Sequence, residues 1–347
     1  MSKIKIGIVQ LNPQTLWRKG GGEIHARKYI EYGNNDDVEI SIFDFNSPQH
    51  YDIIHIFGSA YNLNEIGKYA KLENIKVVHT PILYPTESVF KYKLFLKFGK
   101  YLPFPTTLNL RQELLENADV LIANSNPEAK YIQNAYSINE NKIQVLGTGV
   151  DSSFLKYNFS ENDLPHEIQH LKNYILMVGR VTPLKNQLDV LKLLKENYKI
   201  VLVGQADKSF PEYENEVREI VNKNEHVFWF ENLNQHDNSL KAIYAKAFCH
   251  ILWSKTEVAA LVNMEAAALG TLLISRNLQT TKDIMKENSL YSSNEIELLH
   301  NIKQLELLTS VQKTEKIEET KKYIKENYTW EKIVQDSIDI YKKLLNK

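Results

Sequence analysis

Short apolar runs alternate with longer segments of helical periodicity along most of this chain. In the first half, brief runs rich in Ile, Val and Phe predict strands over residues 4–10, 38–43, 53–57, 76–79, 120–123 and 143–145. Between them, residues 23–32 and 111–117 carry apolar positions at helical spacing. The rhythm returns later, with strands predicted at 174–178, 200–203, 227–230, 249–253 and 272–275 and helices at 187–194, 213–222 and 239–246. A polar stretch over 151–172, containing Pro165 and lacking periodicity, separates the halves and reads as an interdomain linker. Strands alternating with helices, twice over, predict two doubly wound α/β domains. The pattern contains neither a solenoid-length repeat nor a low-complexity tract.

Composition fits this picture. A chain of 347 residues is too long for one ordinary core and suits two domains, and 43% hydrophobic residues can fill them. Forty-two basic against 43 acidic residues give a net charge of −1, which argues against a nucleic-acid partner. The single cysteine, Cys249, excludes an internal disulfide and suits a reducing compartment. It lies in the apolar run 247–253 and is expected to be buried packing. The start of the chain runs straight into a strand without a signal-type apolar region. No apolar run reaches the roughly 20 residues of a membrane span, so a soluble, cytoplasmic protein is expected.

Three constellations could carry chemistry. Glu257 and Glu265 stand on either side of seven residues, the second half of which is apolar and helix-forming, and Gly270 stands where that helix would stop. Glu265 is therefore expected in the opening turns of a short buried helix, with Glu257 in the loop feeding it. Carboxylates there bracket a helix start whose free N–H groups suit phosphate. Two glutamates at this spacing mean little alone in a chain that is 24% charged. Arg180 follows one predicted strand directly, and Lys185 precedes the next helix. Two such cations can neutralise a diphosphate leaving group, although a solvated loop pair is the plainer reading. Gly20, Gly21 and Gly22 precede Glu23 between the first strand and helix, where glycines can turn backbone N–H groups toward an anion or simply form a flexible loop.

Together these motifs resemble the signature of retaining glycosyltransferases of the GT-B fold, most closely glycosyltransferase family 4, the glycosyl transferases group 1. The family pattern is Glu-Gly-Phe-Gly-Leu, three variable residues, Glu-Ala and a small-residue helix ending Gly-Thr. Glu257, Leu261, Glu265, Ala266, Gly270 and Thr271 match it, whereas Val258, Ala259 and Ala260 replace Gly-Phe-Gly. Glycine admits positive φ and close approach of a donor sugar, so this departure bears on the sugar more than on the diphosphate. Gly179, Arg180 and Lys185 match a second motif, with Asn186 in place of its last glycine. Gly20, Gly21 and Glu23 match Gly-Gly-x-Glu, and Gly149-Val150-Asp151 matches a domain-closing Asn-Gly-Val-Asp in which Thr148 replaces Asn. Asn124-Ser125 matches a further fold marker. A family histidine after a strand of the first domain corresponds better to His79 than to His55.

The resemblance implies two Rossmann-like domains facing across a cleft. These would be an acceptor-binding domain over 1–155, completed by a returning C-terminal helix at about 330–347, and a donor domain over 172–329. It implies transfer of a hexose-type sugar from a nucleotide diphosphate-sugar, UDP-sugar favoured, to a glycan or lipid-linked acceptor with retention, in surface polysaccharide or glycoconjugate synthesis. Arg180 and Lys185 would take the diphosphate with N–H groups of Gly20, Gly21, Gly22, Leu261 and Val262. Glu265 would hold the ribose, Glu257 the transferred sugar, and His79 would orient a sugar hydroxyl. No cofactor or metal is expected, and no Asp-x-Asp is present. Aromatics and four lysines interleave over 90–102, which reads as a helix with a lysine-rich outer face or as peripheral contact with the cytoplasmic face of a membrane. Two rivals stand beside this reading: a nucleotide-sugar 2-epimerase on the same fold, and a non-catalytic sugar-binding module.

Overall fold

A computed structural model describes residues 3–10, 21–83, 88–99, 101–233 and 238–346, with the side chains of 21–23 left out. The chain divides into two compact units, Met1–Gly149 with Trp330–Lys347, and Val150–Thr329.

The first unit runs β1 (Ile4–Gln10), α1 (Gly21–Gly33), β2 (Val38–Ile42), β3 (Ile53–Phe57), α2 (Asn64–Leu72), β4 (Lys76–Thr80), α3 (Val89–Gly99), α4 (Thr107–Asn117), β5 (Val120–Ala123), α5 (Asn126–Tyr136) and β6 (Ile143–Val145). Its six strands form a parallel sheet in the order β2-β1-β3-β4-β5-β6. Strand alternation sends Ile54 and Ile56 into one core and Ile53 and Phe57 into another, so both faces are covered.

The second unit runs α6 (Ser152–Leu155), β7 (Ile175–Val178), α7 (Gln187–Leu194), β8 (Ile200–Val203), α8 (Pro211–Lys223), β9 (Val227–Phe230), α9 (Asn238–Lys246), β10 (Cys249–Leu252), α10 (Leu261–Ala268), β11 (Leu272–Arg276), α11 (Gln279–Met285), β12 (Leu290–Ser292), α12 (Glu295–Glu306) and α13 (Ser310–Asn327). Its parallel sheet has the order β12-β11-β10-β7-β8-β9. The stretch expected to be a linker is instead part of this unit. Phe154, Leu164, Ile168 and Leu171 are buried beside Tyr174 and Tyr244. Asp151 caps α6 by accepting from the Ser153 N–H at 2.9 Å. A few spaced apolar residues were enough to anchor a stretch without periodicity.

The last helix, α14 (Trp330–Leu344), belongs to the first unit. Trp330, Ile333, Val334, Ile338 and Tyr341 form its apolar stripe and pack against Tyr29 and Phe57. Two buried hydrogen bonds fasten it: Tyr341 Oη to His55 Nδ1 at 2.6 Å, and Tyr29 Oη to Ser337 Oγ at 2.8 Å.

Burial keeps His25, His55 and His79 of this unit neutral. His25 is pushed down to about 3 and His79 to about 4, and His55 lies well below its ordinary value of 6.5. A depressed histidine takes up its proton only on unfolding, so stability is intact above about 6.5 and declines as pH falls toward 4. Each histidine contributes at most about 1.4 kcal/mol of loss per pH unit. The thermal midpoint should therefore fall over that window. His25→Phe, which replaces a ring whose Nε2 has no partner, should flatten the decline. A midpoint independent of pH over that window would contradict this origin.

Candidate functional site

In the second unit the chain proceeds from β7 outward to β8 and β9, then returns to place β10 on the other side of β7. The loops leaving β7 and β10 thus diverge from neighbouring strands at a topological switch point, where doubly wound sheets hold ligands. These two loops carry Arg180 with Lys185, and Glu257.

The β7–α7 loop is tightly built. Gly179 and Val181 donate to Val203 O and Gln205 O, both at 2.9 Å, which continues the β7–β8 pairing past the ends of the strands. A Cβ at Gly204 would lie 2.3 Å from the Gly179 carbonyl oxygen, so only glycine permits this approach. Lys185 and Asn186 both donate to Thr182 O, and Gln187 Nε2 donates to Arg180 O at 2.9 Å. The chain enters α7 through Asn186 with φ +57°. Asparagine tolerates that left-handed conformation, which explains how it stands in the family's glycine position.

The β10–α10 loop is joined to this one at two points. Lys255 N–H donates to Leu184 O at 2.8 Å, and Lys185 Nζ forms a close ion pair with the buried carboxylate of Glu257. It enters α10 through Ala260 with φ +46°. An L-residue is strained there, so the chain keeps the geometry glycine would adopt while carrying a methyl group. The helix ends in a Schellman motif: Gly270 has φ +84°, its N–H bonds to Ala267 O at 3.1 Å, and that of Thr271 bonds to Ala266 O at 3.0 Å.

Glu265 lies in α10 and is buried. Tyr244 Oη donates to its Oε2 at 3.0 Å. Burial raises its carboxyl pKa to about 7, against the lowering effect of that bond. Leu261 and Val262 open α10, where the first N–H groups of a helix have no partner within it. Arg180, 43% exposed, faces Asp207 at 3.4 Å. A buried chain runs beneath the site. Val178 N–H donates to His250 Nε2 at 3.3 Å, so Nδ1 carries the proton toward Asn263 Oδ1 at 3.0 Å, and Asn263 Nδ2 donates to Ser275 Oγ at 2.8 Å.

Lys185 and Glu257 are thus in contact, Arg180 shares the loop of Lys185, and Leu261, Val262 and Glu265 lie on the helix after Glu257. Asp207, Tyr244, His250 and Asn263 carry no motif, and only the fold reveals them. In the first unit, Gly21 and Gly22 open α1, while Gly20 lies outside the described residues. His79 is buried at the end of β4. Its Nε2 donates to Gly58 O at 2.8 Å, which leaves Nδ1 an acceptor without a partner. His55 is occupied on both nitrogens, by Tyr341 and Thr80. Among the described residues, no group of three or more His, Cys, Asp or Glu could hold a metal ion.

The strain at Ala260 is testable. Ala260→Gly should stabilise the protein by about 0.5–1 kcal/mol, whereas Asn186→Ala should destabilise it by a similar amount. Denaturant midpoints check both, and a less stable Ala260→Gly protein would contradict the left-handed assignment.

Comparison with known proteins agrees with this architecture. Residues 20–154 match the model of "Glycosyltransferase Family 4", and residues 158–330 match that of "Glycosyl transferases group 1". The serotype-specific mannosyltransferase WbdA of Escherichia coli is 25% identical over 199 residues, which is 52% of this chain and 24% of that protein. The chain therefore spans a minor part of that relative. Among solved structures, the Anabaena protein HepE in complex with UDP superposes with a TM-score of 0.75 at 16% identity, covering 99% of this chain and all of the other. Sucrose-phosphate synthase from Thermosynechococcus elongatus gives 0.77 at 16% identity with the same coverage. These likenesses concern the fold. With two parallel-sheet units, the paired motifs of the second and both family models, this chain belongs to the family 4, group 1 glycosyltransferases of GT-B fold.

Proposed function

We propose that this protein transfers a hexose-type sugar from a nucleotide diphosphate-sugar to a glycan or lipid-linked acceptor, with retention at the anomeric carbon. The observation that carries this reading is the Lys185–Glu257 contact at the switch point, beside Arg180 and the start of α10. A cation suited to a diphosphate and a carboxylate suited to sugar hydroxyls are held side by side by backbone-bonded loops.

On this reading, Arg180, Lys185 and the N–H groups of Leu261 and Val262 hold the diphosphate and meet the charge that grows as the glycosidic bond breaks. Glu265 accepts from the ribose hydroxyls and Glu257 from those of the transferred sugar. A front-face route lets the departing phosphate collect the acceptor proton, so no side chain is needed as a strong base, unlike the paired carboxylates of hydrolases. The acceptor is received by the first unit, on the side of His79. UDP is the favoured nucleotide, in keeping with the UDP and UDP-glucose complexes of HepE. The mannosyltransferase relative makes a GDP-linked mannose the second choice.

The acceptor's source bears on α3. Tyr92, Leu96 and Gly99 form its buried face, whereas Phe90, Phe95, Phe98 and the following Tyr101 are more than half exposed among exposed Lys93 and Lys97. Aromatic rings with interleaved lysines fit an anionic bilayer surface, into which rings insert while ammonium groups meet headgroups. No described helix is long and apolar enough to cross a membrane.

Nucleotide binding, sugar transfer and membrane binding each test this. UDP should raise the thermal midpoint more than GDP, and Lys185→Ala and Glu265→Gln should each weaken that effect at least tenfold in concentration. Glu257→Ala should cost sugar transfer more than nucleotide binding. Unchanged transfer in both Glu257→Ala and Lys185→Ala would remove the site, and a new sugar nucleotide formed from donor alone would mark an epimerase. Separately, the protein should sediment with phosphatidylglycerol vesicles at low salt but not with phosphatidylcholine ones. Phe95→Ser with Phe98→Ser should abolish this sedimentation, and retained binding would exclude α3 as the contact.

A further inference from the structure

In the first unit, β4 and β5 are neighbours, with His79 opposite Leu121. The chain leaves β4 through Pro81, Ile82 and Leu83, and Ile82 has φ +52°. A β-branched residue rarely adopts this left-handed conformation, which persists only where the surroundings over-determine it. The restraint is visible. Leu83 is buried, and its N–H donates to Glu128 Oε1 at 2.6 Å. The other oxygen of Glu128 accepts from Asn124 N–H at 2.7 Å and from Asn124 Nδ2 at 2.9 Å.

Glu128 sits in the first turn of α5, whose N-cap Ser125 accepts from the Glu128 N–H at 3.3 Å. A glutamate at this position commonly reaches back to the cap's own N–H. Here it reaches past the cap to two other segments, with its carboxyl buried and its pKa raised by that burial. Burying a carboxylate is unfavourable unless its oxygens are satisfied, and here the partners that satisfy them belong to this turn and to Asn124.

The same rim leaves hydrogen-bonding capacity unused. Asn124 Oδ1 and His79 Nδ1 are buried without a partner. Asn124 spends its N–H on Glu128, and His79 donates through Nε2, so both unused atoms are acceptors. They call for hydroxyl donors, and the carboxyl ends of such strands are where ligands bind.

We propose that Glu128 is a positioning residue that locks the Pro81–Ile82–Leu83 turn so that this rim receives a neutral, hydroxyl-rich acceptor. The inference rests on the sugar-transfer reading for its ligand class, and its test does not use transfer. Binding of methyl α-mannoside and methyl α-glucoside is measured by saturation-transfer NMR, with the UDP-induced thermal shift measured in parallel. Glu128→Gln should weaken glycoside binding about tenfold and accelerate amide exchange at Leu83, while leaving the UDP shift unchanged. Adding Ile82→Gly should restore much of the glycoside affinity, because glycine holds the left-handed turn without a clamp. A merely structural Glu128 would lose stability without that rescue. Absent glycoside binding to the unaltered protein, an unaffected Glu128→Gln protein, or failure of the glycine rescue would each overturn the proposal. Should Glu128→Gln not fold, Ile82→Gly alone decides: a raised thermal midpoint supports the clamped strain, and a lowered one refutes it. Loss of the UDP shift in the unaltered protein would instead count against the donor reading alone.

Discussion

The candidate donor site depends on one constraint: parallel strands that reverse direction of growth must splay their following loops apart, and something must hold those loops in register. In the second unit the hold is double. A backbone bond from Lys255 to Leu184 sets the distance, and the Lys185–Glu257 ion pair sets which side chains meet. Glu257 is nearly buried while Lys185 is a quarter exposed, so the carboxylate is the member that would suffer most from losing its partner. The pair fixes the two loops in the free protein, and on the proposed reading it also keeps a cation in place for an incoming anion.

The electrostatics extend this division. Arg180, itself partly exposed, faces the buried carboxylate of Asp207 at 3.4 Å. Glu265 lies deeper, where burial and the Tyr244 hydroxyl act on its carboxyl in opposite directions. On the proposed reading, the groups for phosphate, hexose and ribose follow in chain order from the loops into α10. Replacing the family's glycines with Val258, Ala259 and Ala260 leaves this frame standing, because Ala260 still adopts the left-handed turn. On the proposed reading, the added side chains bear on which sugar is accepted.

Much of this was legible in the sequence. Strands announced themselves as short β-branched runs, and those buried on both faces, such as β3 and β8, matched their expected bounds. The striped α7 did likewise, and α14 began where expected but ended at Leu344, short of the expected 347. The polar α13 was not read, since only Thr320 and Ile324 of it are buried. Nor was α5, whose start coincides with Asn124-Ser125, residues read only as a fold marker. Lys185 and Glu257, which the fold brings into contact, could be picked out because each lies in a short local pattern between a strand and a helix. Asp207, Tyr244 and Glu128 were not, because each acts on a partner brought close only by the sheet. The linker reading failed for the same reason, since the sparse anchors Phe154 and Ile168 have no local pattern.

Crystals soaked with UDP-glucose test the central claim most directly. The account predicts the diphosphate within hydrogen-bonding distance of Lys185 Nζ and the Arg180 guanidinium, ribose hydroxyls on Glu265, and the hexose against Glu257. A nucleotide bound elsewhere, with Lys185 and Glu257 still closed on each other alone, would contradict it.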